Sequence, residues 1–145
     1  MINERVCMTM NQILERSATT YGGRNGAIKD MASSVELKLA KPQEMGGVGD
    51  QGTNPEELFS AGYSSCFASS IEYLLQTSGV KYDAIKVKAT TKLVANPQTG
   101  FQFQLLVDAK ISGVTKEVEK EYIEKAYGFC PYSKAIRGNV EVTFI

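Results

Sequence analysis

The clearest helical pattern in the chain covers residues 58–76. There Leu58, Phe59, Gly62, Tyr63, Cys66, Phe67, Ser70, Ile71, Leu74 and Leu75 recur at spacings of three and four. The small residues Ala61, Ser64, Ser65, Ala68 and Ser69 occupy the remaining faces. A helix that is apolar or small nearly all round is expected to be buried, within its domain or against a second subunit. Asn54 can cap it, Pro55 suits its first position, and Glu56 and Glu57 fall near the positive end of the helix dipole. Gly79 is its expected stop. Residues 85–94 and 101–111 are alternating runs around an Asn-Pro-Gln-Thr-Gly turn at 96–100, which predicts a hairpin.

Shorter strands are expected over 13–21, 27–30 and 35–39. The first two are joined by Gly22-Gly23-Arg24-Asn25-Gly26, a strong turn signal. Residues 41–53 are rich in glycine and read as a loop. A charged amphipathic helix is expected over 115–126, with Val118, Tyr122 and Ile123 on its apolar stripe and Gly128 ending it. Cys130-Pro131-Tyr132-Ser133 opens a short helical turn, and residues 140–145 form a last strand. The order predicts an α+β fold with an antiparallel sheet. A length of 145 residues predicts one domain over 1–145.

Composition narrows the chemistry. Lys+Arg and Asp+Glu both number 16, so the net charge is zero and no nucleic-acid or anionic-lipid partner is expected. Histidine is absent, which removes Ser-His and Cys-His nucleophile pairs and His-bearing metal sites. Three cysteines are too few for a four-thiolate zinc site within one chain. Neither a membrane span nor a signal peptide is expected, and an odd cysteine count favours a reducing cytoplasm. Thiol chemistry in which a cation lowers a cysteine pKa stays open.

Gly47-Val48-Gly49-Asp50-Gln51-Gly52 matches the dinucleotide-binding fingerprint by letter. However, Lys41-Pro42 separates it from a strand and Pro55 delays the helix, so a flexible loop over a site is the expected role. Cys66 reads first as a core cysteine of the buried helix. Cys130, at a helix start, can be reactive or a small apolar filler. The two lie 64 residues apart, and no local spacing pairs them. Arg24 is a solvated turn arginine or a cation for a thiolate. Glu56 is a dipole partner or a carboxylate that holds such an arginine. In one straight helix Glu56 and Cys66 would be about 15 Å apart, so a shared site requires a bend near Gly62 or a second subunit.

Taken together, Gly22-Gly23-Arg24-Asn25-Gly26, Gly52-Thr53-Asn54-Pro55-Glu56-Glu57-Leu58-Phe59, Ala61-Gly62-Tyr63-Ser64-Ser65-Cys66-Phe67, Cys130-Pro131-Tyr132-Ser133 and Arg137-Gly138-Asn139 resemble the organic hydroperoxide resistance (Ohr) proteins of the OsmC-like family. The likeness runs in one order from about Ile13 onward. It implies an intertwined homodimer in which antiparallel sheets flank central buried helices. It implies a thiol peroxidase acting on alkyl and fatty-acid hydroperoxides, with Cys66 peroxidatic and Cys130 resolving. Arg24 and Glu56 would stand beside the reactive thiolate. Re-reduction by dihydrolipoamide or a lipoylated protein is implied, with no metal, flavin or haem. Phe67, Phe129 and Tyr132 are candidates to contact the alkyl chain. Cys7 has no counterpart in the pattern. Two other readings stay open: a carrier of apolar ligands with inert cysteines, and an interaction protein that responds to oxidation.

Overall fold

The computed structural model describes residues 10–145, so Cys7 lies outside the described residues. The chain falls into two compact units, Met1–Asn54 and Pro55–Ile145. In the described part of the first, β1 (Thr19–Tyr21), β2 (Ala27–Lys29) and β3 (Leu37–Lys38) form an antiparallel meander in the order β1-β2-β3. The β1–β2 turn is closed by the Gly26 N–H donating to Gly23 O at 2.8 Å. A Cβ at Gly26 would lie 2.0 Å from Tyr21 O, so the turn that presents Arg24 admits only glycine there.

The strands are shorter than the 13–21 and 35–39 runs suggest. Asp30 and Ser34 adopt left-handed backbone angles, φ 59° and 61°, and these bracket the chain between β2 and β3. The glycine-rich segment holds one 3-10 turn, Gln43–Met45, and Thr53 forms an isolated parallel bridge with Leu39. Among the described residues of this unit, Leu39 and Ala40 are the buried hydrophobic ones, whereas Ile13, Tyr21 and Val35 are exposed.

The second unit begins with α1 (Pro55–Thr77), an unbroken helix. It ends in paired bonds from the Val80 N–H to Leu75 O and the Gly79 N–H to Gln76 O, with Gly79 at φ 68°. The hairpin β4 (Ala84–Asn96) and β5 (Gly100–Ser112) follows, in register from Ala84↔Ser112 to Asn96↔Gly100. Then come α2 (Lys116–Phe129), α3 (Pro131–Ile136) and β6 (Glu141–Phe144). Thr115 caps α2 by accepting from the Val118 N–H.

Two expectations need correction. The sheet is not wholly antiparallel, because β6 pairs parallel to β5, Gln104↔Glu141 to Val107↔Phe144. The α2–α3 passage supplies the long crossover that parallel neighbours require. Gly128 does not end α2, which runs on to Phe129. Pro131 sets the end instead. It disfavours helical geometry in the residue before it, and Cys130 is extended at φ −59°, ψ 124°.

The core of this unit joins one stripe of α1 (Tyr63, Phe67, Ile71, Leu75) to alternate residues of β5 (Leu105, Val107, Ala109, Ile111) and to Tyr122 and Ala126 of α2. The spacing of four along α1 meets the spacing of two along β5, as a helix on a sheet demands. The small-residue side of α1, Ala61, Ser65 and Ser69, is exposed. The chain therefore encloses one stripe of this helix, not its whole circumference.

Candidate functional site

Cys66 lies midway along α1 and Cys130 at the α2–α3 corner. The proline that ends α2 turns the chain there, and α3 lies against α1 with Ser133 and Ile136 buried. Two cysteines 64 residues apart thus come to a sulfur–sulfur distance of 3.6 Å, both as free thiols. Cys130 is buried, and Cys66 is half-buried.

The pair is electrostatically unequal. Burial pushes the Cys66 thiol up; the Tyr132 backbone N–H draws it partly back, and Cys130 raises it again. Burial also pushes Cys130 up, but the Ser133 backbone N–H and hydroxyl, together with Cys66 and Ser70, outweigh it and hold this thiol below its ordinary value. The family resemblance implies a reactive thiolate at Cys66 beside Arg24; the sequence did not identify Ser133, Ser70 and Tyr63 as polar neighbours of the pair. Tyr63 Oη and Ser133 Oγ lie 2.7 Å apart, fully buried. The periodicity marks Tyr63 only as a core aromatic, and nothing in its spacing signals a bond 70 residues away.

The aromatic candidates divide. Phe129 and Tyr132 are about 40 % exposed on either side of Cys130. Phe129 stacks on Tyr73 with centroids 5.3 Å apart, and Tyr132 meets Tyr63 edge-on at 6.5 Å. Phe67 is wholly buried, stacked on Tyr63 at 5.9 Å and tilted against Phe144 at 5.7 Å. It packs the core behind the pair.

Arg24 lies in the first unit, on the β1–β2 turn. Glu56 lies in the first turn of α1. Because α1 passes Gly62 without a break, Glu56 and Cys66 of one chain are about 15 Å apart along the axis. Of the two routes open to a shared site, the bend is removed. The 47–52 glycine segment follows a 3-10 turn and opens no helix, so it lacks the strand–turn–helix setting of a dinucleotide loop. Among the described residues, no group of three or more His, Cys, Asp or Glu is placed to hold a metal ion, and no helix is long and apolar enough to cross a membrane.

Chemically, a pair of sulfurs at 3.6 Å can exist as a dithiol or, after loss of two electrons and two protons, as a disulfide. Closing to a bond of about 2.05 Å needs roughly 1.5 Å of movement. Fold and site therefore define an α+β protein with a close pair of cysteines, one on the long helix α1 and one at the α2–α3 corner. Residues 47–145 match the family model described as OsmC-like protein. The chain is 34 % identical to the organic hydroperoxide resistance protein of Xanthomonas axonopodis pv. citri, over 87 % of this chain and 89 % of that one. The crystal structure of an organic hydroperoxide resistance protein from Elizabethkingia anophelis superposes with a TM-score of 0.87 at 38 % identity, covering 93 % of this chain and 96 % of that one. One from Legionella pneumophila gives 0.87 at 36 %, covering 92 % and 97 %. The chain belongs to the OsmC-like family, in its organic hydroperoxide resistance branch.

Proposed function

We propose that this protein is a cysteine-based peroxidase of organic hydroperoxides, working in a reducing cytoplasm. The observation that carries the reading is the 3.6 Å approach of an accessible Cys66 to a buried Cys130. The Cys66 thiolate attacks the outer peroxide oxygen, the O–O bond breaks, and the alkoxide takes a proton and leaves as alcohol. Cys66 is left as a sulfenic acid. Cys130 attacks that sulfur, the S–O bond breaks, and water departs with the proton from Cys130. A dihydrolipoyl dithiol, free or on a lipoylated protein, then reduces the disulfide by exchange. Phe129 and Tyr132, exposed beside the pair, offer the apolar surface for the alkyl chain.

Burial holds the Cys66 thiol up, so its ionisation requires a cation. Arg24, held by Glu56, fills that role. The unbroken α1 puts Glu56 about 15 Å from its own Cys66, so a second copy of the chain supplies it. An intertwined homodimer also gives an occupant for the exposed small-residue side of α1 and cover for the open sheet of the first unit.

Mixing two variants tests this. Cys66→Ser lacks the nucleophile and Glu56→Ala lacks the carboxylate. If each site takes these residues from different chains, a heterodimer rebuilds one intact site. Peroxide consumption then returns on refolding the two together. No recovery from co-refolded, dimeric material would refute the shared site.

A further inference from the structure

The corner that carries Cys130 has a hydrogen-bond deficit written into its sequence. Along α2 each carbonyl accepts from the N–H four residues on. Ala126 O receives the Cys130 N–H at 2.8 Å. The next carbonyl, Tyr127 O, would look to residue 131, which is a proline and has no N–H. The last turn of α2, Ala126-Tyr127-Gly128-Phe129, also has no basic residue of its own to set against the negative end of the dipole. Both needs are met from the far end of α3. Arg137, the residue that caps α3, turns its guanidinium back and donates from Nη2 to Tyr127 O at 2.5 Å. The same guanidinium lies over the Tyr127 ring, 4.8 Å from its centroid. That ring meets Phe144 edge-on at 5.4 Å, and Phe144 packs on the buried Phe67. The Arg137 backbone is anchored too, its N–H donating to Ser133 O at 3.1 Å.

The geometry points to Arg137 as the clamp that closes this corner, capping α2 from outside the helix and holding Cys130 against Cys66. The clamp ties residue 127 to residue 137. Cys130 lies between them, its sulfur 3.6 Å from that of Cys66. Arg137 is a positioning residue, since it acts through the backbone that carries Cys130. Without it Tyr127 O loses this donor, and α3 is freer to swing about the Cys130–Pro131 link. A pair of thiols held ready loses less freedom when its bond forms, so the clamp favours the disulfide. A role in the step from Cys66 sulfenic acid to disulfide rests on the peroxidase reading, whereas the hold on the dithiol does not.

Equilibration with mixtures of reduced and oxidised dithiothreitol reads the clamp without peroxide. The protein dithiol gives up two electrons and two protons, and the reagent's disulfide takes them up. A Cys7→Ser background leaves one pair to form, and thiol labelling with mass spectrometry measures it. Arg137→Met keeps a long apolar stem but loses the charge and the donors. It should lower the disulfide-to-dithiol ratio about fivefold at a fixed reagent ratio. Arg137→Lys, which keeps a charged donor, should recover most of that loss. Lys120→Gln removes one positive charge elsewhere on α2 and should match wild type. Circular dichroism checks that each variant is folded. A wild-type ratio in Arg137→Met would overturn the clamp. So would Arg137→Lys no better than Arg137→Met, or an equal loss in Lys120→Gln.

With one equivalent of alkyl hydroperoxide, Arg137→Met should oxidise Cys66 at the wild-type rate. It should close the disulfide about fivefold more slowly, so that the sulfenic acid persists and is trapped by dimedone. A general structural defect would slow both steps, and equal slowing of both would refute the positioning role. A wild type that forms neither sulfenic acid nor disulfide would sink the peroxidase reading, while the dithiothreitol equilibrium would still decide the clamp.

Discussion

Oxidation of the Cys66–Cys130 pair should stabilise the fold by a calculable amount. The bond would tie the middle of α1 to the α2–α3 corner across a separation of 64 residues. For a closed loop of that length, the chain-entropy model gives about 4 kcal/mol of stabilisation through the unfolded state. The sulfurs must still close by roughly 1.5 Å, and the strain of that movement reduces the gain to about 2–4 kcal/mol. At some 2–4 °C per kcal/mol for a chain of this size, the melting temperature should rise on the order of 10 °C. Urea unfolding of reduced and oxidised protein, at one protein concentration and without reductant, measures the difference. Mass spectrometry confirms which bond has formed. Cys130→Ser treated in the same way should show no gain. An oxidised protein carrying the Cys66–Cys130 bond but unfolding at the reduced midpoint would refute the claim that the pair closes with little strain.

Phe67→Ala removes a ring buried between Tyr63 and Phe144 and should cost about 3–5 kcal/mol in urea unfolding; a loss below 1 kcal/mol would place Phe67 outside the core. Tyr63 is raised from 10.0 to about 12, so its stabilising contribution is complete below pH 10 and is lost as pH rises toward 12. That loss is about 1.4 kcal/mol by pH 11 and should be missing from the alkaline limb of Tyr63→Phe. A Cβ on Gly62 would lie 2.7 Å from Tyr132 Oη, so Gly62→Ala should push that half-exposed ring aside. KM for a bulky hydroperoxide should rise several-fold, while the helix itself gains up to about 1 kcal/mol; unchanged KM with lower stability would contradict the role given to Tyr132.

The elements with long periodic signals were legible in the sequence. The helix over 58–76, the hairpin around 96–100 and the turn carrying Arg24 all have their main determinants close in sequence. The direction of β6 was not legible, because strand pairing depends on how α2 and α3 return the chain, and no residue in 141–144 encodes it. Gly128 misled because a glycine near a helix end is an ordinary stop. Here the geometry of Pro131 overrode it. Both cysteines could be named from sequence, but their 3.6 Å approach could not, since it arises from the packing of α3 on α1. Tyr63 shows the limit most clearly: its apolar ring obeys the core pattern, while its hydroxyl answers to a serine 70 residues away.

The most direct test of the central claim is steady-state turnover of an alkyl hydroperoxide with dihydrolipoamide as reductant. Hydrogen peroxide serves as the competing substrate and Cys66→Ser as the control. The account predicts rapid turnover that prefers the organic peroxide and disappears with Cys66. No consumption by fully reduced wild-type protein, or turnover that survives the loss of Cys66, would contradict it.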